Sequence, residues 1–309
     1  MTAGPRGVMR PDAEHRPVLT AEVLGVLKPA ARRLLVDCTV GLGGHAAALL
    51  DAAGPGGRLI GIDVDVEGLA LARKALQRFG RRVRLFQANF ADVADVLAEA
   101  DEGPADVLLA DLGVASSQLS QADRGLSFST DGPLDMRLDR RSHRTAAELV
   151  NRLSEAELAD VIYTCGEERY SRRIARAIVA ARKDNRIERT LALARIVAGA
   201  IPPAARASRR GVHPATRTFQ ALRIAVNDEL GALDGLLGHV PDVLAPSGRA
   251  GIISFHSLED RRVKRRFAEL ARQGEAAVLT RKPIVAGNDE VAENPRSRSA
   301  KLRAVERIS

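Results

Sequence analysis

Apolar and polar positions alternate along the first third of the chain in a pattern typical of strands separated by helices. Short apolar runs predict buried strands, and apolar residues three or four positions apart predict helices. The predicted strands are residues 33–36, 58–63, 83–86 and 106–111, and the predicted helices are residues 45–51, 66–79 and 91–100. Strands that alternate with helices in this way are typical of a parallel sheet covered on both faces.

The alternation stops after residue 111. Residues 113–139 are rich in Gly, Ser, Asp and Pro, and residues 145–200 show only helical periodicity. A helix at 218–240 and a strand at 248–255 restore the first pattern, and residues 276–280 and 302–308 predict an antiparallel hairpin on either side of a loop at 287–299. We therefore predict an α/β fold with a mostly parallel sheet in residues 1–118 and 217–309 and an inserted all-helical domain in residues 119–216.

Charge is distributed unevenly along the 309 residues. The net charge is +8, and residues 140–217 hold 17 Arg or Lys and 8 Asp or Glu, a net of +9. Within that segment, one face of a helix predicted at 167–183 carries Arg169, Arg172, Arg173 and Arg176. Localised positive charge favours a nucleic acid partner, and the arginine face is either a solvated surface or a phosphate contact.

The sequence carries neither a membrane signal nor a disulfide framework. Its longest apolar runs fall short of the roughly 18 to 20 residues that span a bilayer, and its first residues do not resemble a signal peptide. The two cysteines, Cys38 and Cys165, lack metal-type spacing. We expect a cytoplasmic protein without a membrane partner.

Three glycines lie between the first predicted strand and the first predicted helix. Gly41-x-Gly43-x-x-Ala46 satisfies a dinucleotide pattern, and Asp63 lies 22 residues after Gly41, where a ribose-binding acid belongs. However, Asp37 stands directly before the turn and would repel a diphosphate. S-adenosylmethionine is favoured, because it has no phosphate and carries an ammonium and a sulfonium. A dinucleotide, or a tight turn without a ligand, remains an alternative.

Acids also end other predicted strands. Asp37, Asp63 and Asp111 close three of them, and Asn89-Phe90 follows a fourth. Because ligands of open parallel sheets bind at the carboxyl ends of the strands, these groups are expected around one crevice. In the S-adenosylmethionine interpretation, Asp63 holds the ribose hydroxyls, Phe90 packs on adenine and residues 41–45 surround the methionine portion.

Eight motifs, in order along nearly the whole chain, resemble the MraW family of ribosomal RNA methyltransferases. Together they are far more specific than the glycine pattern. Two positions depart from the usual family pattern, with Ala115 where serine is usual and Ser117 where proline is common. The motifs are HRPVL (15–19), GLGGH (41–45), DLGVASSQL (111–119), DGPLDMR (131–137), YTCGEER (163–169), HPATRTFQ (213–220), SFHSLEDR (254–261) and ENPR (293–296).

The resemblance implies a Rossmann-like methyltransferase sheet with a helical insert. It implies that S-adenosylmethionine methylates N4 of a cytidine in the decoding region of small-subunit (16S) ribosomal RNA, so the expected partner is that RNA or the small ribosomal subunit and not DNA. It also implies cofactor contacts by Gly43, Gly44, His45, Asp63, Phe90, Asp111 and Gln118.

The residues that act on the cytosine amino group are harder to predict. Many amino methyltransferases use Asn or Asp followed by Pro-Pro and an aromatic residue, but Asp111 is followed by Leu112-Gly113-Val114. Asp111 is the candidate acceptor and His256 a second candidate catalytic group. A metal role for His45 and His256 is disfavoured because neither belongs to a cluster with metal-type spacing. The rival functions are an NAD-dependent dehydrogenase and a non-catalytic RNA-binding assembly factor.

Overall fold

A single sheet organises the fold of residues 17–207 and 213–308, which the computed structural model describes. Its strands are β1 (Leu34–Asp37), β2 (Arg58–Asp63), β3 (Val83–Gln87), β4 (Ala105–Asp111), β5 (Leu244–Ser254), β6 (Ala276–Val278) and β7 (Lys301–Arg307). The strand order is β3-β2-β1-β4-β5-β7-β6. Neighbours from β3 to β5 are parallel, and β7 runs antiparallel to both β5 and β6. The predicted α/β fold class and the terminal antiparallel pair are confirmed.

Helices cover the sheet and form most of the segment between β4 and β5. They are α1 (Thr20–Leu27), α2 (Gly44–Ala53), α3 (Val66–Ala75), α4 (Val93–Glu99), α5 (Ser116–Ser120), α6 (Ala146–Arg152), α7 (Glu155–Gly166), α8 (Ser171–Asp184), α9 (Thr190–Ala200), α10 (Pro203–Ala207), α11 (Thr216–Asn227), α12 (Glu229–Val243), α13 (Ser257–Gln273) and α14 (Asn288–Glu293). The described helices include none that is both long and apolar enough to cross a membrane.

Both faces of the sheet are buried. Successive residues of β1 point to opposite sides, so Leu34 and Val36 join one apolar cluster with α4 and α12, whereas Leu35 joins another with α1 and α2. This double burial explains why the strands read as continuous apolar runs and not as alternating ones. Polar residues are found instead at the carboxyl ends of the strands.

The helical segment between β4 and β5 has an apolar core of its own. This core runs from Leu126 to Val226 and includes side chains of α6, α7, α8 and α9. Helix α11 contributes Phe219 and Leu222 to the same core, although it begins at Thr216. An insert spanning residues 119–216 therefore remains a prediction, because the packing of this core continues past its second boundary.

Three predicted elements were wrong in their bounds. The helix predicted at 167–183 begins at Ser171, because Glu167 ends α7 in the left-handed conformation with φ 48°. The helix predicted at 218–240 is two helices, separated by Asp228 with φ 47°. The loop predicted at 287–299 contains α14 and a short 3₁₀ helix. His15 and Arg16 of the first motif lie outside the described residues.

Candidate functional site

A cavity of about 1140 Å³ opens at the carboxyl ends of the central strands. Asp37, Asp63 and Asp111 are the last residues of β1, β2 and β4, as predicted. Side chains or backbone of six of the seven predicted cofactor contacts line the cavity: Gly44, His45, Asp63, Phe90, Asp111 and Gln118. The sheet thus brings together residues that are up to 74 positions apart in the sequence, from Gly44 to Gln118.

The glycine turn is held by Asp63 and by close packing. Gly41 donates its backbone N–H to Oδ2 of Asp63 at 2.9 Å. Gly43 donates its N–H to the Val40 carbonyl at 2.7 Å and has φ +88°, and a Cβ on it would lie 3.2 Å from Cγ of Leu76. Gly43 does not line the cavity, so the structure gives it a part in the turn, and its cofactor contact stays a prediction.

Asp37, His45 and Asp111 form a buried polar cluster behind the turn. Nε2 of His45 lies 3.5 Å from Oδ2 of Asp111, which is an ion-pair distance rather than a well-formed hydrogen bond. Oδ2 of Asp37 and Oδ1 of Asp111 are buried without a hydrogen-bond partner among the described residues. Buried acceptors are usually satisfied, and Asp111 lines the cavity whereas Asp37 does not, so the oxygen of Asp111 indicates that a donor or cation binds there.

Burial and mutual charge shift the acid-base equilibria of this cluster. Burial raises the pKa of Asp37 from 3.8 to about 6, against a smaller opposing effect of His45. Burial lowers the pKa of His45, but the carboxylates of Asp111 and Asp37 outweigh it, and the net shift is upward. Burial also raises the pKa of Asp63. Asp37, His45 and Asp63 therefore hold protons more strongly than the same groups would in water.

Asp37→Asn is expected to remove a loss of stability that the wild type shows as the pH rises. Because the pKa of Asp37 is about 6 in the fold and 3.8 otherwise, the native state keeps between those values a proton that the unfolded state has released. This stabilisation is present below about pH 4, is lost as the pH rises through about 6, and amounts to about 3 kcal/mol. The raised pKa of His45 acts in the same direction at pH values above 6.5.

Urea unfolding at pH 4 and pH 7 measures this contribution. The free energy of unfolding should fall by about 2 kcal/mol less between the two pH values in Asp37→Asn than in the wild type, because at pH 4 much of the unfolded Asp37 has already released its proton. Asp51→Asn is the control, because the Asp51 side chain is 53% exposed. An Asp37→Asn variant with the wild-type pH dependence would mean that Asp37 is ionised in the fold at both pH values.

A buried ion pair links the segment after β4 to the turn after β2. Nη2 of Arg124 donates to Oδ1 of Asp65 at 2.6 Å, and Nε2 of Gln118 donates to Oδ2 of Asp65 at 2.7 Å. Arg124 is 2% exposed and Asp65 is 4% exposed. Neither residue was predicted from the sequence. The position of Asp65 before a helix signals an N-cap, and it does accept the N–H of Glu67, but nothing local indicates that Arg124 is buried.

Phe90 lies on the cavity wall and packs against the apolar cluster of the sheet. It is partly buried and begins a short 3₁₀ helix after β3. Asn89 fixes that turn, because its Oδ1 accepts the backbone N–H of Ala91 at 2.9 Å. Phe90 is therefore held at the cavity wall by a turn that the Asn89 side chain caps.

His256 lies outside the residues that line the cavity. It caps α13, where its Nδ1 accepts the N–H of Glu259 at 3.4 Å and its Nε2 lies 3.2 Å from Oε1 of Glu259. Ligand atoms of Glu229, His256 and Glu259 lie within 4.8 Å of one another. Arg223 already donates to both carboxylate oxygens of Glu229 at 2.8 Å, so this cluster carries its own positive charge.

Two wall segments were not predicted as part of the site. One is the junction of α11 and α12, where Asn227, Asp228 and Glu229 line the cavity, and the other is residues 293–296. Asn227 accepts the Leu138 N–H at 2.8 Å and donates to the Met136 carbonyl at 2.9 Å. The DGPLDMR and ENPR motifs were the available signals for this wall.

The strand order and the acid-lined cavity define the chain as a Rossmann-like methyltransferase. β7 runs antiparallel between β5 and β6, and the glycine turn after β1 lines the cavity. The chain belongs to the MraW methylase family, whose model matches residues 12–308. The predicted family is thereby confirmed, and membership implies S-adenosylmethionine as methyl donor.

Three curated relatives, each named Ribosomal RNA small subunit methyltransferase H, are similar over almost their whole length. The relative from Geobacter sulfurreducens is 51% identical over 310 residues, covering 95% of this chain and 99% of the relative. The relative from Synechococcus sp. is 53% identical over 303 residues, covering 97% and 99%. The relative from Sorangium cellulosum is 50% identical over 301 residues, covering 97% and 93%.

Proposed function

We propose that this chain transfers a methyl group from S-adenosylmethionine to N4 of a cytidine in the decoding region of 16S ribosomal RNA. The observation that carries the proposal is the cavity where Asp63, Asp111 and His45 meet the glycine turn. The names of the curated relatives support small-subunit ribosomal RNA as the substrate. The N4 position rests on the sequence motifs.

The residues present fit a cationic methyl donor. Asp63 and Asp111 line the cavity, and Oδ1 of Asp111 is buried without a partner among the described residues. Asp63 would hold the ribose hydroxyls, Phe90 the adenine, and Gly44, His45 and Gln118 the remainder. When bound, the donor supplies an electrophilic methyl group. The protein's contribution is to surround positive charge with carboxylates in a partly dehydrated site.

Asp111 would receive the acceptor base. Its Oδ1 is buried, its residue lines the cavity, and its backbone N–H is fixed by Oγ1 of Thr39 at 2.6 Å. The exocyclic amine of cytosine is a poor nucleophile because its lone pair is conjugated with the ring. A hydrogen bond from that amine to Asp111 would orient it and stabilise the positive charge that develops on nitrogen. His256 would act indirectly, by fixing Glu259 and the start of α13.

Nucleotide mapping tests the proposal. The protein is incubated with labelled S-adenosylmethionine and either 16S RNA or small-subunit preparations, and modified nucleotides are then located. We expect label on N4 of a single cytidine in the decoding region. Asp111→Ala should lower the single-turnover rate at saturating donor by about 100-fold, while His256→Ala should lower it by less than about tenfold.

Each contrary result identifies a different failure. Label on another atom or nucleotide would contradict the N4-cytidine assignment. RNA binding without any transfer would favour an assembly factor, and stabilisation by NAD in place of S-adenosylmethionine would favour a dehydrogenase. An Asp111→Ala variant with the wild-type rate would remove Asp111 from the reaction.

A further inference from the structure

Two helices present exposed basic faces beside the candidate site. On α8 and the residue pair before it, Arg169, Arg172, Arg173 and Arg176 are all exposed, at spacings of three and four. On α13, Arg261, Lys264 and Arg265 are exposed with the same spacing. The α13 cluster lies outside the basic segment 140–217. The net charge of the sequence did not reveal it, because acids elsewhere in the chain offset its charge.

Glu167, which lies between α7 and α8, connects this part of the chain to α13. Oε1 of Glu167 accepts a hydrogen bond from Arg261 at 2.9 Å, and its Oε2 accepts one from Ser257. Its backbone carbonyl accepts a hydrogen bond from Arg217 at 2.9 Å. The end of α7, four residues before α8 begins, therefore lies against the first turns of α13. Since α13 follows Phe255, which lines the cavity, the joined surface begins at the edge of the candidate site.

Several of these cations are not used within the described structure. Arg176 lies 3.4 Å from Glu155, and Arg261 pairs with Glu167. The described residues provide no ion-pair partner for Arg172, Arg173, Lys264 or Arg265. Neighbouring like charges repel one another, so a polyanion is the complementary partner.

An exposed aromatic side chain lies at the same junction. Tyr163 is 61% exposed, the largest exposed fraction among the large hydrophobic side chains that the structure describes. It lies one helical turn before Glu167, whose N–H it accepts through its carbonyl at 2.9 Å. Exposed aromatic rings and unpaired basic side chains on one surface are the combination that binds single-stranded RNA, through stacking and phosphate contacts.

We infer that Tyr163 and the basic faces of α8 and α13 form a docking surface for the RNA that flanks the methylated nucleotide. Arg172, Arg173, Lys264 and Arg265 contact phosphates, and Tyr163 stacks on an unpaired base. This inference rests on the proposed function for the identity of the RNA. The surface combines residues from helices that are distant in the sequence. Tyr163 and Arg261 of α13, for example, are 98 positions apart.

Affinity for 16S RNA, measured over a range of salt concentrations, tests the surface. One variant removes both basic pairs and carries Arg172→Ala, Arg173→Ala, Lys264→Ala and Arg265→Ala. Its plot of log affinity against log salt concentration should be less steep than that of the wild type, by about 1 for each phosphate that is no longer neutralised. Tyr163→Ala should weaken binding at least about fivefold, whereas Tyr163→Phe should bind like the wild type. Affinity for S-adenosylmethionine should be unchanged in all of these variants.

Helix α3 supplies the matched control. It carries Leu71, Arg73 and Lys74, all exposed, and packs near β2 and β3, at the other end of the sheet from α13. Leu71→Ala with Arg73→Ala and Lys74→Ala should leave RNA binding at the wild-type level apart from a small general charge effect. The control removes two cations and the surface variant four, so an equal change in salt slope for each cation removed would overturn the inference.

The outcomes separate this inference from the proposed function. A wild type that methylates RNA, together with surface variants that bind RNA normally, would refute the surface alone. A wild type that binds RNA through this surface but transfers no methyl group would refute the proposed function alone. Variants that lose activity only on small-subunit particles, with unchanged binding of free RNA, would assign the surface to ribosomal protein and would also overturn the inference.

Discussion

Asp63→Ala is expected to lower the affinity for S-adenosylmethionine by more than about 100-fold while leaving RNA affinity largely unchanged. In the proposed complex its carboxylate accepts hydrogen bonds from two ribose hydroxyls, and a hydrogen bond to a charged group contributes about 1.5–3 kcal/mol. The carboxylate also accepts the N–H groups of Gly41 and Asp65, at 2.9 Å each. The variant therefore lacks both the hydrogen bonds to the ribose and the anchor of the glycine turn. Calorimetric titration with S-adenosylmethionine measures the effect.

Asp106→Ala is the matched control for Asp63→Ala. Asp106 also accepts two backbone N–H groups, those of Arg33 and Leu34, at 2.8 and 2.9 Å. It lies near the start of β4, at the opposite edge of the sheet from the cavity. Both variants should lower the unfolding temperature, but only Asp63→Ala should lose donor affinity. Equal donor affinity in the two variants would contradict the proposed role of Asp63.

Arg124→Ala is expected to destabilise the fold by about 3–5 kcal/mol, because it leaves the buried Asp65 carboxylate without its cation. Burial raises the pKa of Asp65, but Arg124 and Gln118 outweigh burial and hold it below its usual value. Because Gln118 lines the cavity and donates to the same carboxylate, donor affinity should also fall. Urea unfolding followed by circular dichroism gives the loss of stability.

Two further variants define the origin of the Arg124 effect. Arg124→Met combined with Asp65→Asn removes both charges and should recover most of the lost stability, since it leaves no buried charge without a partner. Arg140→Ala should cost less than about 1 kcal/mol, because exposed ion pairs contribute little. The Arg140 side chain is 51% exposed and bonds Asp123 at 2.8 Å. A double variant as unstable as Arg124→Ala would show that packing, and not unpaired charge, is responsible.

The acids of the candidate site could be predicted because the end of a strand is a local feature of the sequence. The observed β2 has the predicted bounds, and Asp37, Asp63 and Asp111 end their strands as predicted. Since the carboxyl ends of parallel strands meet at one edge, local assignments were enough to place three carboxylates together. The glycine turn was equally readable, because positive φ at Gly41 and Gly43 favours glycine.

The ends of helices were predicted less well. Glu167 and Asp228 both take the left-handed conformation without being glycine, with φ 48° and 47°. Apolar periodicity continues through both positions, so the sequence predicted a helix from Glu167 onward and one uninterrupted helix across Asp228. Both breaks position residues at the candidate site or near it. At the first, Glu167 accepts a hydrogen bond from Arg261 of α13, and the second places Asn227 and Glu229 on the cavity wall.

By itself the sequence determined the parallel sheet, the ring of acids around one crevice, the methyltransferase family and the excess of positive charge. Only the tertiary structure decided that Arg124 is buried against Asp65, 59 residues away, that His256 lies outside the cavity, and that Glu167 at the end of α7 bonds Arg261 of α13. Periodicity and motifs report the local conformation of the chain. Burial and pairing depend on which elements pack together, and for residues distant in sequence no local pattern records that choice.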